Sequence, residues 1–232
     1  MSRALKSALA GLSLLWVLGG SPAAAQGMRI HMHGDGPYAA DGFLFAPAAT
    51  GSTDSVLLIP GAAGITPAAQ ATAQALAAAG YQVVLLDPNR GGPPDPAPSE
   101  EQVWEDVGAA VQFLSARPGV RSGRIGVLGI AQGSRAALRL AREQQVIAAA
   151  VEMPEAPAPG DLTLRTPLLA FVTRSDRVRK SAHPAAGGAQ IEFYAAADTA
   201  AGADANELFT STDRAQIRRQ EIDFFALKLG QR

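Results

Sequence analysis

The chain reads as short apolar runs separated by longer stretches whose apolar residues recur at helical spacing. The short runs predict strands at 28–33, 42–46, 55–60, 81–87, 124–129, 146–153, 167–173 and 191–195. Val56-Leu57-Leu58-Ile59 is apolar without alternation, the pattern of a strand buried on both faces. Helices lie between these runs. Thr66 is placed to cap one, Pro67 fits its first position and Gly80 stops it. Ser99 with Gln102 makes a capping box for a second, which runs through Val103, Val107 and Val111 to Leu114. A third spans 132–143. A last begins near Thr212 or Asp213 and carries Ile222, Phe225 and Leu229 at helical spacing. Gly91-Gly92-Pro93-Pro94 interrupts the series as a loop.

Strands alternating with helices predict an α/β fold: a mostly parallel sheet of about eight strands, the first two antiparallel, with helices on both faces. Of the 232 residues, 47% are hydrophobic and 18% charged, with a formal net charge of −1. That supports a sizeable core and gives no basic excess to displace counterions from a nucleic acid. No cysteine is present, which excludes disulfides, thiolate metal sites and a cysteine nucleophile. The histidines are His31, His33 and His183.

The first residues form a separate unit. Arg3 and Lys6 precede an apolar run over 8–17, and Ala23-Ala24-Ala25-Gln26 follows. A basic start, a short apolar run and an Ala-x-Ala site predict a signal peptide over 1–25. The run falls short of the ~20 residues that span a bilayer. Cleavage after Ala25 is expected to leave 26–232 as one domain, periplasmic or secreted, with no membrane attachment.

One segment carries a chemical signature. Gly129-Ile130-Ala131-Gln132-Gly133 runs from a strand into a helix, the setting of a nucleophile elbow, Gly-x-nucleophile-x-Gly. Its central position is Ala131, and a methyl group cannot attack a carbonyl. Ser134 is the nearest hydroxyl. Its position in the first helical turn favours a packing role over that of a displaced nucleophile.

Together with this elbow, several stretches resemble the dienelactone hydrolase branch of the α/β-hydrolase family. Residues 56–64, with Gly61-Ala62-Ala63-Gly64 at the turn, resemble its strand and oxyanion loop; 75–83, 106–114, 167–176 and Phe224-Phe225-Ala226 resemble further segments in order. The resemblance implies an α/β-hydrolase fold and a triad. The acid maps to Asp176, the nucleophile to Ala131 and the histidine to about Thr199, so two members are replaced. It also implies a crevice lined by Gly61, Ala62, Ala63, Ala131 and Gln132, with Arg90 and Asp176 as polar lining.

The triad acts as a unit. The expected function is therefore a catalytically degenerate hydrolase that binds a small molecule or a protein partner. The alternative is an active esterase or lactonase with rearranged residues. Asp176 as a lone base stands beside its reading as an inherited carboxylate paired with Arg174, Arg177 or Arg179. His183, before the strand at 191–195, is expected in a surface connection. His31 and His33 are expected to be solvated rather than metal-ligating, because further ligands are not identifiable. Tyr38, Trp104 and Tyr194 are candidates for pocket walls, and the loop 89–98 for a lid. No cofactor or metal is expected, since no nucleotide motif follows any strand.

Overall fold

The computed structural model describes residues 27–34, 39–48, 51, 53–154, 164–174, 183–184, 189–195 and 208–230. The strands are β1 (Met28–Met32), β2 (Ala40–Phe45), β3 (Thr53–Ile59), β4 (Gln82–Asp87), β5 (Val120–Ile130), β6 (Ala148–Met153), β7 (Leu168–Arg174), β8 (His183–Pro184) and β9 (Ala189–Ala195). The helices are α1 (Pro67–Ala78), α2 (Glu100–Ala116), α3 (Gly133–Arg142) and α4 (Ser211–Gly230). The strands form one sheet in the order β1-β2-β4-β3-β5-β6-β7-β9-β8. β2 runs antiparallel to both of its neighbours and β8 antiparallel to β9; the other pairings are parallel.

Among the described residues nine strands replace the expected eight. The addition, β8, is two residues long, too short for any periodicity to reveal. It moves His183 from the expected connection into an edge strand, paired with Ile191.

Side-chain alternation along the central strands sorts the core into two layers. Leu57 and Ile59 of β3 join Val107 and Leu114 of α2 and Leu140 of α3 on one face. Val56 and Leu58 join Leu76 of α1 and Phe225 of α4 on the other. A strand buried from both sides must be apolar at consecutive positions, which is why β3 shows no alternation in sequence.

The helix starts follow local chemistry. Thr66 Oγ1 accepts from Ala69 N–H at 3.2 Å, with Pro67 in the first turn. Ser99 Oγ accepts from Gln102 N–H at 3.1 Å. The Gln102 side chain also reaches outward, with Nε2 donating to Pro88 O at 3.2 Å. That contact ties the loop after β4 to α2. The carboxyl ends of the parallel strands share one edge of the sheet, where open α/β folds build their ligand crevice.

Candidate functional site

β5 ends at Ile130 and α3 begins at Gly133, so two residues redirect the chain. Ala131 takes φ 51°, in the left-handed region, at a cost of roughly 1–2 kcal/mol for a residue with a Cβ. Its N–H donates to Glu152 O at 2.8 Å, and Ser134 N–H donates to Ala131 O at 3.1 Å. A Cβ on Gly133 would sit 2.2 Å from Ile59 O, and one on Gly129 2.6 Å from Ser134 Cα. The two glycines are what let α3 start directly against β3 and β5. Ser134 is fully buried, with Oγ 2.9 Å from both Gly129 O and Glu152 O. Its hydroxyl holds the turn and does not face the crevice.

The loop after β3 comes up beside this turn. Gly64 N–H donates to Gly61 O at 2.9 Å. Ala62 N–H donates to the Gln132 side-chain Oε1 at 2.6 Å, and Ala62 O accepts from Asn89 Nδ2 at 3.2 Å. The backbone donor that the sequence offers to a ligand oxygen is thus engaged by an internal carbonyl.

A cavity of about 480 Å³ opens beside the elbow, between α2 and α3. Of the five expected lining residues, Gly61, Ala62 and Gln132 are on its wall, as is Trp104. Ala63 and Ala131 are not. Ala131 packs against the apolar layer under α1 and α4, on the opposite side of the turn. Arg90 is also redirected. Partly exposed, it pairs at 2.6 Å with the buried Asp106 Oδ1 and is not on the cavity wall. Burial pushes the Asp106 carboxyl above the usual carboxylate range, and the Arg90 guanidinium opposes this. Loop 89–98 contributes Ala97 and Pro98 to the cavity wall.

Asp176, Thr199 and Tyr38 lie outside the described residues, as does 1–26. Tyr194 falls within β9. His33 follows β1 and is exposed. His31 Nδ1 lies 2.5 Å from Asp41 Oδ1, and Arg29 contacts the other oxygen at 3.1 Å. Burial raises the Asp41 pKa, but hydrogen bonds from His31 and Arg29 outweigh it and hold the carboxyl below its ordinary value. A guanidinium on the same carboxylate disfavours a cation there.

The sheet order separates the histidines from the elbow. β1 and β8 each stand four strand spacings from β5, on opposite edges. At ~4.8 Å per spacing that is roughly 19 Å, far outside hydrogen-bond reach of position 131.

A charged cluster behind the elbow escaped the sequence reading. Glu152, next to last in β6, is fully buried and forms a short contact with Arg214 of α4. Glu221, about two turns after Arg214 along α4 and 1% exposed, joins them. Burial, then the charge of Glu152 and a hydrogen bond to it, push Glu221 well above the usual carboxylate range, while Arg214 and Arg218 pull it back. The one available signal was an acid closing an otherwise apolar strand, Ala148-Ala149-Ala150-Val151-Glu152, since a buried charge needs a partner.

A model of the dienelactone hydrolase family matches residues 40–192, more than half of the chain. A Bradyrhizobium sp. protein named "Probable 2-oxo-3-(5-oxofuran-2-ylidene)propanoate lactonase" is 32% identical over 114 residues, covering 43% of this chain and 45% of that relative. The chain therefore spans less than half the length of that curated relative. Among solved structures, a dienelactone hydrolase from Anabaena variabilis aligns with a TM-score of 0.64 at 16% identity, over 88% of this chain and 99% of that one. An esterase domain from Rhodothermus marinus aligns with a TM-score of 0.61 at 18% identity, over 88% and 100%. Identities this low establish the fold alone.

Proposed function

The chain belongs to the dienelactone hydrolase family, and from that premise we propose that it is an exported, catalytically degenerate member that binds a small molecule beside the elbow. The observation that carries this reading is Ala131 itself: the elbow keeps its strain, its glycines and its hydrogen bonds, yet presents a methyl group where the reaction needs a nucleophile. A base is lacking as well. The histidine-bearing strands lie at the two edges of the sheet, and no histidine follows His183. The triad chemistry needs a nucleophile, a base that takes its proton and an acid that orients the base. Asp176 is the only one of the three residue types left at its family position.

What remains suits binding. The start of α3 adjoins the cavity, with Gln132 and Gly133 on its wall, and a helix N-terminus favours an anion or a carbonyl oxygen. The signal-like segment at 1–25 supports export, with the mature domain periplasmic or secreted. No helix among the described residues is long and apolar enough to cross a membrane.

The test is chemical. A fluorophosphonate probe is expected to leave the purified protein unlabelled, and activated aryl esters to turn over no faster than with a nonspecific protein surface. Stoichiometric labelling would overturn the reading. N-terminal sequencing of protein from its native host is expected to begin at Gln26.

The named lactonase relative favours a second reading, an esterase or lactonase whose catalytic residues have been rearranged, with Asp176 as its base. Turnover of a lactone, abolished by Asp176→Asn, would establish that reading instead.

A further inference from the structure

The elbow is fastened to β6 at one residue. Glu152 O accepts from Ala131 N–H at 2.8 Å and from Ser134 Oγ–H at 2.9 Å, so a single carbonyl holds the turn at two points. The side chain of the same residue leaves towards α4. Ala148 and Ala150 of β6 lie in the layer under α1 and α4, and Glu152 follows them at the strand period. There it meets Arg214, in the first turn of α4, and Glu221, about two turns further on. Both acids are buried. Among the described residues, Oε1 of each has no hydrogen-bond partner. The charged groups that face the pair are Arg214 and Arg218, both of α4. The neighbouring strands put Ile130 of β5 and Phe171 of β7 beside Glu152, and α1 carries no ionisable side chain.

We propose that Glu152 and Glu221 form a proton-binding site, two carboxyl groups sharing one proton, that latches α4 to the elbow. In the latched state the Glu221 carboxyl donates its O–H to the Glu152 carboxylate, and Arg214 meets the one remaining negative charge. Two carboxylates side by side in the interior repel, so one of them keeps its proton at a pH where an exposed glutamate is ionised. Burial and the neighbouring Glu152 raise Glu221 in this direction, and the Arg214 and Arg218 cations do not overcome them. Arg218 is the weaker counterweight because it is partly exposed and water reduces its attraction. As pH rises through the folded pKa of Glu221, the proton leaves to solvent, both groups carry charge, and the contact between β6 and α4 weakens. The weakening reaches the elbow, because the residue that α4 grips is the one whose carbonyl holds Ala131 and Ser134. One proton can loosen such a latch by at most about tenfold per pH unit. The latch works whether or not position 131 takes part in a reaction.

Hydrogen exchange of the full chain reads the latch, once each rate is compared with the intrinsic rate at the same pH. Protection of the Ala131 amide is expected to fall, by up to about tenfold per pH unit, as pH rises through the Glu221 titration. The amide of Ile217 in α4 is expected to follow it, while that of Leu57 in β3 holds. Glu221→Gln offers a donor to Glu152 and cannot ionise, so its Ala131 protection is expected to stay level across the same range. Protection in the unsubstituted protein that does not vary with pH overturns the proposal. So does a loss that persists in Glu221→Gln, or one shared equally by Leu57, which is unfolding of the whole sheet. A second measurement needs no substitution. The side-chain carboxyl carbon resonances of protein labelled at glutamate are expected to show one glutamic acid still protonated well above the usual carboxylate range. A set of resonances that all titrate within that range overturns the shared proton.

Discussion

Gln132 Oε1 sits 2.6 Å from Ala62 N and accepts its hydrogen bond. In an elbow of this type the N–H after the nucleophile and an N–H from the loop after the third strand together hold the developing oxyanion. Here the residue that supplies the first donor covers the second with its own side chain. The contact joins two segments 70 residues apart.

Gln132→Ala is therefore expected to free the Ala62 amide. Its hydrogen exchange should accelerate, and its amide proton should shift as the short hydrogen bond is lost, with little change elsewhere in α3. Unchanged exchange at Ala62 would show that another acceptor holds it.

Restoring chemistry needs more than a hydroxyl. Ala131→Ser is expected to give little ester turnover, because no histidine among the described residues lies near position 131. Combining it with Thr199→His, and scanning neighbouring positions for the histidine, is expected to recover more than the product of the two single effects, as triad members act together. Rates of each single and the double variant on one activated aryl ester check this. Robust turnover by Ala131→Ser alone would reveal a base among the remaining side chains.

The elbow's backbone makes its own prediction. Ala131 bears a left-handed conformation that glycine adopts freely. Ala131→Gly is expected to stabilise the fold by up to about 1 kcal/mol, the relief of strain less the added unfolded-state entropy. Gly133→Ala is expected to cost about 3 kcal/mol or more, since its Cβ meets the Ile59 and Pro60 carbonyl oxygens. Denaturant titrations of both variants separate the two signs.

Ser134→Ala is expected to lower stability by about 1–3 kcal/mol, because two buried carbonyls lose a donor. It is expected to leave ligand binding unchanged. A loss of probe labelling or turnover on this substitution would assign Ser134 a chemical role.

The cluster behind the elbow predicts a pH dependence. Glu221 binds its proton more tightly folded than unfolded, because burial and Glu152 disfavour its charge. The folded state then holds more protons, so stability falls as pH rises. Glu221's contribution is fully present below its unfolded pKa, about 4.3, and is lost as pH rises through the raised folded value. Glu221→Gln, permanently neutral, is expected to melt at or above the parent temperature at neutral pH, with the parent regaining ground on acidification. Arg214→Ala is expected to cost about 3–5 kcal/mol, since it removes the cation beside Glu152. Melting curves across pH for both variants read these effects.

The layers of this fold and its elbow were legible in the sequence because they rest on local rules. Apolar runs without alternation marked the central strands, Thr66 and Ser99 marked helix starts, and Gly129 and Gly133 flanked a turn that admits no side chain at either place. Alanine at the centre of the Gly-x-x-x-Gly motif was legible for the same reason, as a single residue at a fixed place in a short motif. The meetings of distant segments were decided only by the tertiary structure. Gln102 has the spacing of a capping box, and its side-chain amide also bonds to the Pro88 carbonyl that the loop brings to it. Arg90 looks like crevice lining, yet α2 sets a buried Asp106 within its reach. The order of strands in the sheet, which no periodicity encodes, put the histidine-bearing strands on opposite edges and Glu152 against α4. Hydrophobic patterning tells each strand which faces to bury but not which neighbour to pair with. The side chains that share a site are settled when the strands and helices pack together.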